Sequence, residues 1–168
     1  MKKLLPIIAI TFVSGCANPM EEYENTLTGE TARITLSSPS LSEYRNIPMY
    51  KSKTAYFSIT EFAGCTGNKE NSGKKLLGTA QIYPANPEKT YRIPANKELQ
   101  ISSSAVEDAG GAMVTCSTSL RFQSEPGKYY KLVFYTDNRN STQCSSDIFE
   151  VTADAEVPVQ SAVKVKTD

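Results

Sequence analysis

The 168-residue sequence predicts an all-β fold, an antiparallel sandwich of two sheets, and three observations carry that expectation. Apolar residues recur at every second position in several short segments, as they do in strands with one face against a core. Proline, glycine and asparagine cluster between those segments, where turns are needed. No long segment has an apolar stripe of helical period, and one helical turn at residues 40–45 is all that is expected.

Taken along the chain, Ile34 and Leu36 alternate with Arg33 and Thr35, and Phe57 and Ile59 with Tyr56, Ser58 and Thr60. Val114, Cys116, Thr118, Leu120 and Phe122 alternate with Thr115, Ser117, Ser119 and Arg121 in the same way. Segments 76–83, 90–93, 98–102, 129–136 and 147–152 are rich in Tyr, Phe, Ile, Val and Thr, which favour a pleated, half-buried surface. With turns at 84–87, 94–96 and 125–128, about eight short strands are expected, which suits a sandwich. Glu125-Pro126-Gly127-Lys128 is the clearest turn, because Pro presets φ at its second position and Gly accepts a positive φ at its third. It is expected to close a hairpin between 112–123 and 129–136, placing Cys116 opposite Tyr135 and bringing Cys144 near through the next loop. The small-residue stretch 102–111 is expected as a loop, with Glu107 and Asp108 solvated on it. In the tail, Val157, Val159, Val163 and Val165 share a period of two, which predicts an edge strand that Pro158 confines to an edge.

The N-terminus is of another kind. Lys2 and Lys3 precede an apolar run at 4–13 interrupted by Pro6 and Thr11, the pattern of a secretory signal peptide. The run spans roughly 15 Å as a helix, half of a ~30 Å hydrocarbon core, and is too short for a permanent span. Val13-Ser14-Gly15-Cys16 resembles the lipobox of bacterial lipoproteins. The resemblance implies diacylglycerol on the Cys16 sulfur, cleavage that leaves Cys16 first, and a further palmitate-type chain, which together make a firm anchor. Ala17 and Asn18 follow, and in such lipoproteins the lack of an Asp beside the cysteine implies an outer-membrane anchor in the cell envelope, facing the periplasm. The expected organisation is therefore a signal peptide at 1–15, lipidated Cys16 with a polar tether at 16–31, and a sandwich domain at 32–168. The tether carries Glu21, Glu22, Glu24 and Glu30 and too few apolar residues to fold alone.

Removing Lys2 and Lys3 from 18 basic and 18 acidic residues leaves a formal charge of −2, no footprint for nucleic acid. Cys65, Cys116 and Cys144 remain in the body, and an oxidising compartment favours one disulfide and one leftover thiol. Cys116 with Cys144 is the expected pair, with Cys65 to Cys144 the alternative. No two of these cysteines have metal-ligand spacing and the chain has no histidine, so no metal site and no cofactor are expected. Without histidine there is no Ser-His-Asp or Cys-His arrangement, and no Gly-x-Ser-x-Gly elbow is present, so no enzymatic activity is expected. Gly67 to Gly73 with Lys74 and Lys75 is superficially like a phosphate loop. It has five residues between the glycines and Lys75 where Ser or Thr should hold Mg²⁺, and it reads as a polar hairpin loop.

The lipobox, acidic tether, short strands and paired cysteines are together similar to small lipid-anchored sandwich modules of the immunoglobulin-like or transthyretin-like kind, including lipoprotein subunits of bacterial secretion assemblies. That resemblance implies a non-catalytic interaction or structural lipoprotein that binds an envelope protein through loops or an unpaired strand edge. The alternative is a ligand-binding module for a glycan, or an enzyme inhibitor, working through Tyr-bearing loops. Fold likeness alone selects neither.

Overall fold

The structure, a computed structural model, describes residues 27–46, 51–63, 73–109, 112–137 and 142–165. Ten strands follow in chain order: β1 Thr31–Ser37, β2 Lys51–Ala63, β3 Gly73–Ile82, β4 Glu88–Pro94, β5 Glu98–Ala109, β6 Met113–Gln123, β7 Tyr129–Thr136, β8 Cys144–Val151, β9 Glu156–Pro158 and β10 Val163–Val165. They form two five-stranded sheets, ordered β4-β1-β7-β8-β9 and β10-β6-β5-β2-β3. A 3-10 helix at Pro39–Asn46 answers the single turn expected near 40–45, and no α-helix occurs among the described residues. The all-β sandwich expected from the periodicity is the observed architecture.

Alternation builds the core. Ala55, Phe57 and Ile59 of β2, Leu99, Ile101 and Ala105 of β5, and Cys116, Leu120 and Phe122 of β6 are buried. So are Ile34 and Leu36 of β1 and Tyr130, Leu132 and Phe134 of β7. Phe57 meets Phe134 across the two sheets edge to face, with ring centroids 5.9 Å apart. Phe122 meets Tyr130 in the same way at 5.1 Å. Such pairs stabilise by about 0.5 to 1.5 kcal/mol beyond the area they bury. Leu41 of the 3-10 helix is fully buried in the same core, while Ser40 Oγ and Thr136 Oγ1 lie 2.9 Å apart in a hydrogen bond. The helix thereby caps the end of the sandwich at which β7 finishes and β8 begins.

The expected hairpin between β6 and β7 does not form. β6 pairs with β5 and β10 in one sheet, and β7 pairs with β1 and β8 in the other, so the turn at 125–128 is a corner between sheets. The turn chemistry itself is as expected, with Gly127 at φ +71° and a Lys128 N–H to Glu125 carbonyl bond. Competing hydrogen bonds explain why it bends away. The Ser124 hydroxyl has the Pro94 and Lys97 carbonyls at 2.8 and 2.9 Å as acceptors for its one proton, and Asn96 N–H donates to the Ser124 carbonyl, which fixes the exit of β6 on the β4–β5 connection. Gly127 N–H then donates to the Thr31 carbonyl and Arg33 N–H to the Lys128 carbonyl. This starts β7 alongside β1, the one parallel pair among the described residues.

Two further expectations change. Residues 102–109 belong to β5 and not to a loop, because β5 is paired on both sides, with β2 and with β6, from Glu98 to Asp108. Ser103, Ala105 and Glu107 continue the inward set begun by Leu99 and Ile101, and the small Ser103 sits in register with the large Phe57. The tail does lie at sheet edges, yet its valines do not share one face. β9 ends the first sheet and β10 the second, and the chain crosses between them through an Ala162 N–H to Val159 carbonyl turn. Val159 packs against the core, whereas Val157 and Val163 are exposed. Ahead of β1, Leu27 also packs on the core, and Asn96 Nδ2 donates to Glu30 Oε2 at 2.9 Å.

Candidate functional site

Cys16 and Cys65 lie outside the described residues, as do the stretch 64–72 and the chain before Leu27. Cys116 and Cys144 are brought together. They do not meet along a hairpin: Cys116 points inward from β6 and Cys144 from the start of β8, in opposite sheets, and both carry free thiols. The proximity argued from sequence holds, for a different geometric reason. Cys116 sits in a row of small inward side chains, Ala55–Ala105–Cys116, which leaves room for Thr136 and its register partner Cys144 from the other sheet.

The row outside this one is charged. Lys53 of β2 and Glu107 of β5 are register partners, both inward, with Nζ to Oε2 at 3.6 Å and side chains 1% and 10% exposed. The sequence alone places Glu107 on a solvated loop. Its place on the inner face of β5 buries it, while Asp108, one residue on, points outward and is exposed. A long cationic side chain is seldom fully buried without a partner. The signal for both residues was in the sequence: Lys53 precedes Ala55, Phe57 and Ile59 by the strand period, and Glu107 follows Ile101, Ser103 and Ala105 by the same period.

Burial pushes the Cys144 thiol up to about 12, with a hydrogen bond to Cys116 acting in the same direction and the positive charge of Lys53 opposing them. Reduced Cys144 is thus protonated and of low reactivity at neutral pH. One layer further in, the hydroxyls of Ser103 and Ser146 are buried without a hydrogen-bond partner. Among the described residues no group of three or more Cys, Asp or Glu is arranged to hold a metal ion.

Two surfaces offer contacts. β3 pairs only with β2 among the described residues, so its other edge is open, and Leu76 on it is 59% exposed. A bulge in β3 at Leu77, opposite the step from Ile59 to Thr60, divides this edge into two short halves, which restrains indiscriminate strand addition. The outer face of the second sheet is the other surface. Its cross-strand rows read Gln81–Tyr56–Ser104–Ser117 and Thr79–Ser58–Ser102–Ser119, with Thr54–Val106–Thr115 beside them. These central rows hold no charged residue. Ser102 and Ser119 hydroxyls are 2.8 Å apart, and the charges lie beyond them, where Arg121 meets Glu98 and stacks over Phe62 at 4.1 Å. On the first sheet, hydrogen bonds to Glu150 and Glu156 raise the pKa values of Lys128 and Lys131 above the ordinary lysine range. These ion pairs tie β7 to β8 and β9 and offer no unpaired cation for a ligand. No family model, curated protein or solved structure matches this chain.

Proposed function

We propose that this protein is a lipid-anchored lipoprotein of the cell envelope, held on the outer membrane through Cys16 and facing the periplasm, that acts as a non-catalytic module for binding another envelope protein. The observation that carries the interaction reading is the open β3 edge with Leu76 exposed on it. An extended segment of the partner adds as a further strand there, with backbone hydrogen bonds supplying affinity and Leu76 a side-chain contact. The lipobox-like Val13-Ser14-Gly15-Cys16 supports the anchor.

Pull-down of the full chain after detergent extraction tests this. A stoichiometric envelope protein, lost from a Leu76→Lys variant that still folds, is the expected result; equal recovery by the variant refutes the β3 edge as the contact. Cys16→Ala should move the protein from the membrane pellet to the soluble fraction. Persistence in the salt-washed pellet refutes the anchor. A second reading, binding of a neutral glycan, is favoured by the charge-free hydroxyl and amide rows around Tyr56. Retention on purified cell-wall glycan, abolished by Tyr56→Ala, supports that reading in place of the first.

A further inference from the structure

We propose that Cys116 and Cys144 form an ordered dithiol site in which Cys144 is the first to attack a small-molecule disulfide, Cys116 resolves the mixed disulfide, and Lys53 assists as the adjacent positive charge. Three observations lead to it. Cys116 of β6 and Cys144 of β8 come from different sheets, and Cys144 packs against the core cluster that contains Cys116. Their exposure is unequal, since Cys116 is 7% exposed and buried while Cys144, at the first residue of β8, is partly open to solvent. A fully buried lysine lies close enough for its charge to favour the Cys144 thiolate.

With glutathione disulfide as the oxidant, the steps balance. The Cys144 thiol loses its proton to solvent, and its sulfur attacks one glutathione sulfur. The glutathione S–S bond breaks, a protein–glutathione S–S bond forms, and the expelled thiolate takes up a proton. Cys116 then loses its proton and attacks Cys144 Sγ, expelling the second glutathione as a thiolate that is protonated in turn. The protein loses two hydrogen atoms, glutathione disulfide gains them, and one covalent bond now joins the two sheets. Thiolate fraction governs the first step and access selects which sulfur takes part in it. Access favours Cys144 over Cys116.

The test uses the reduced full chain, glutathione disulfide and peptide mass mapping. The parent should lose two mass units and yield a Cys116–Cys144 peptide. Cys116→Ser should accumulate one glutathione adduct at Cys144, whereas Cys144→Ser should leave Cys116 unmodified while the fold is native. Lys53→Met should slow adduct formation in the Cys116→Ser background by roughly 3- to 10-fold, because removing the positive charge lowers the thiolate fraction of Cys144. Lys53→Arg should restore the rate. A link to Cys65, or parent thiols at 116 and 144 that stay reduced, overturns the pairing. An adduct that builds up at Cys116 in preference to Cys144 overturns the order. A Lys53→Met rate equal to the parent's, with the variant folded, removes Lys53 from the mechanism.

Discussion

Replacing Lys53 with Met takes one charge out of a pair that is almost wholly desolvated. At 3.6 Å and an effective dielectric of about 20, the attraction between Lys53 and Glu107 is roughly 4 to 5 kcal/mol. Taking each ion out of water costs several kcal/mol, so the intact pair contributes a net stabilisation near zero, on the order of 1 kcal/mol either way. The single substitution keeps the desolvation of Glu107 and discards the attraction, so it should cost about 3 to 5 kcal/mol. Lys53→Met combined with Glu107→Leu removes both charges from facing positions and should recover most of that loss, or exceed the parent. Urea unfolding of parent, both single variants and the double variant, in reductant, reads all four corners of the cycle with unchanged m-values expected. A single-variant cost below about 1 kcal/mol would mean the charges are solvated. A double variant as unstable as the worse single one would locate the cost in packing instead. Either result refutes the reasoning.

Other outcomes follow from the same interior. Phe57→Ala should cost about 3 to 5 kcal/mol, and its cycle with Phe134→Ala should show a coupling of about 0.5 to 1.5 kcal/mol, read by urea unfolding. Ser146→Ala deletes a buried hydroxyl that has no partner and should stabilise by about 1 kcal/mol, a gain visible as a raised melting temperature. Gly127→Ala meets open space but keeps a positive φ, so it should cost only the conformational term of about 1 to 2 kcal/mol; a larger loss would mean the turn is packed. In the reduced protein the folded-state pKa of Cys144 lies above its unfolded value, so the native state holds its proton longer. Stability should therefore be unaffected by this group at neutral pH and fall as pH rises from about 9 toward 12, a slope absent from Cys144→Ser and from the oxidised protein. Oxidation closes a loop of about 28 residues and should stabilise by about 3 to 4 kcal/mol, measured as a shift in urea midpoint on adding reductant.

Much of this molecule is local and was therefore legible. A period of two marks one face of each strand for burial, and Ile34, Phe57, Ile59, Leu120 and Phe122 are in the core as their spacing requires. The turn at 125–128 needs only its own Pro and Gly to form, and Tyr129–Thr136 has the bounds that its composition suggested. Which strand lies beside which is not local. β6 and β7 adjoin through a hairpin-like turn yet enter different sheets, because Pro94, Asn96 and Lys97 on one side and Thr31 and Arg33 on the other, contributed from elsewhere in the chain, compete for the backbone there. Periodicity says that Glu107 and Lys53 point the same way as their hydrophobic neighbours. Only pairing of β2 with β5 shows that each is the other's partner. Cys116 and Cys144 make the same point. Their nearness follows from two sheets stacking with facing small residues, a relation between segments remote in sequence that burial and packing decide together.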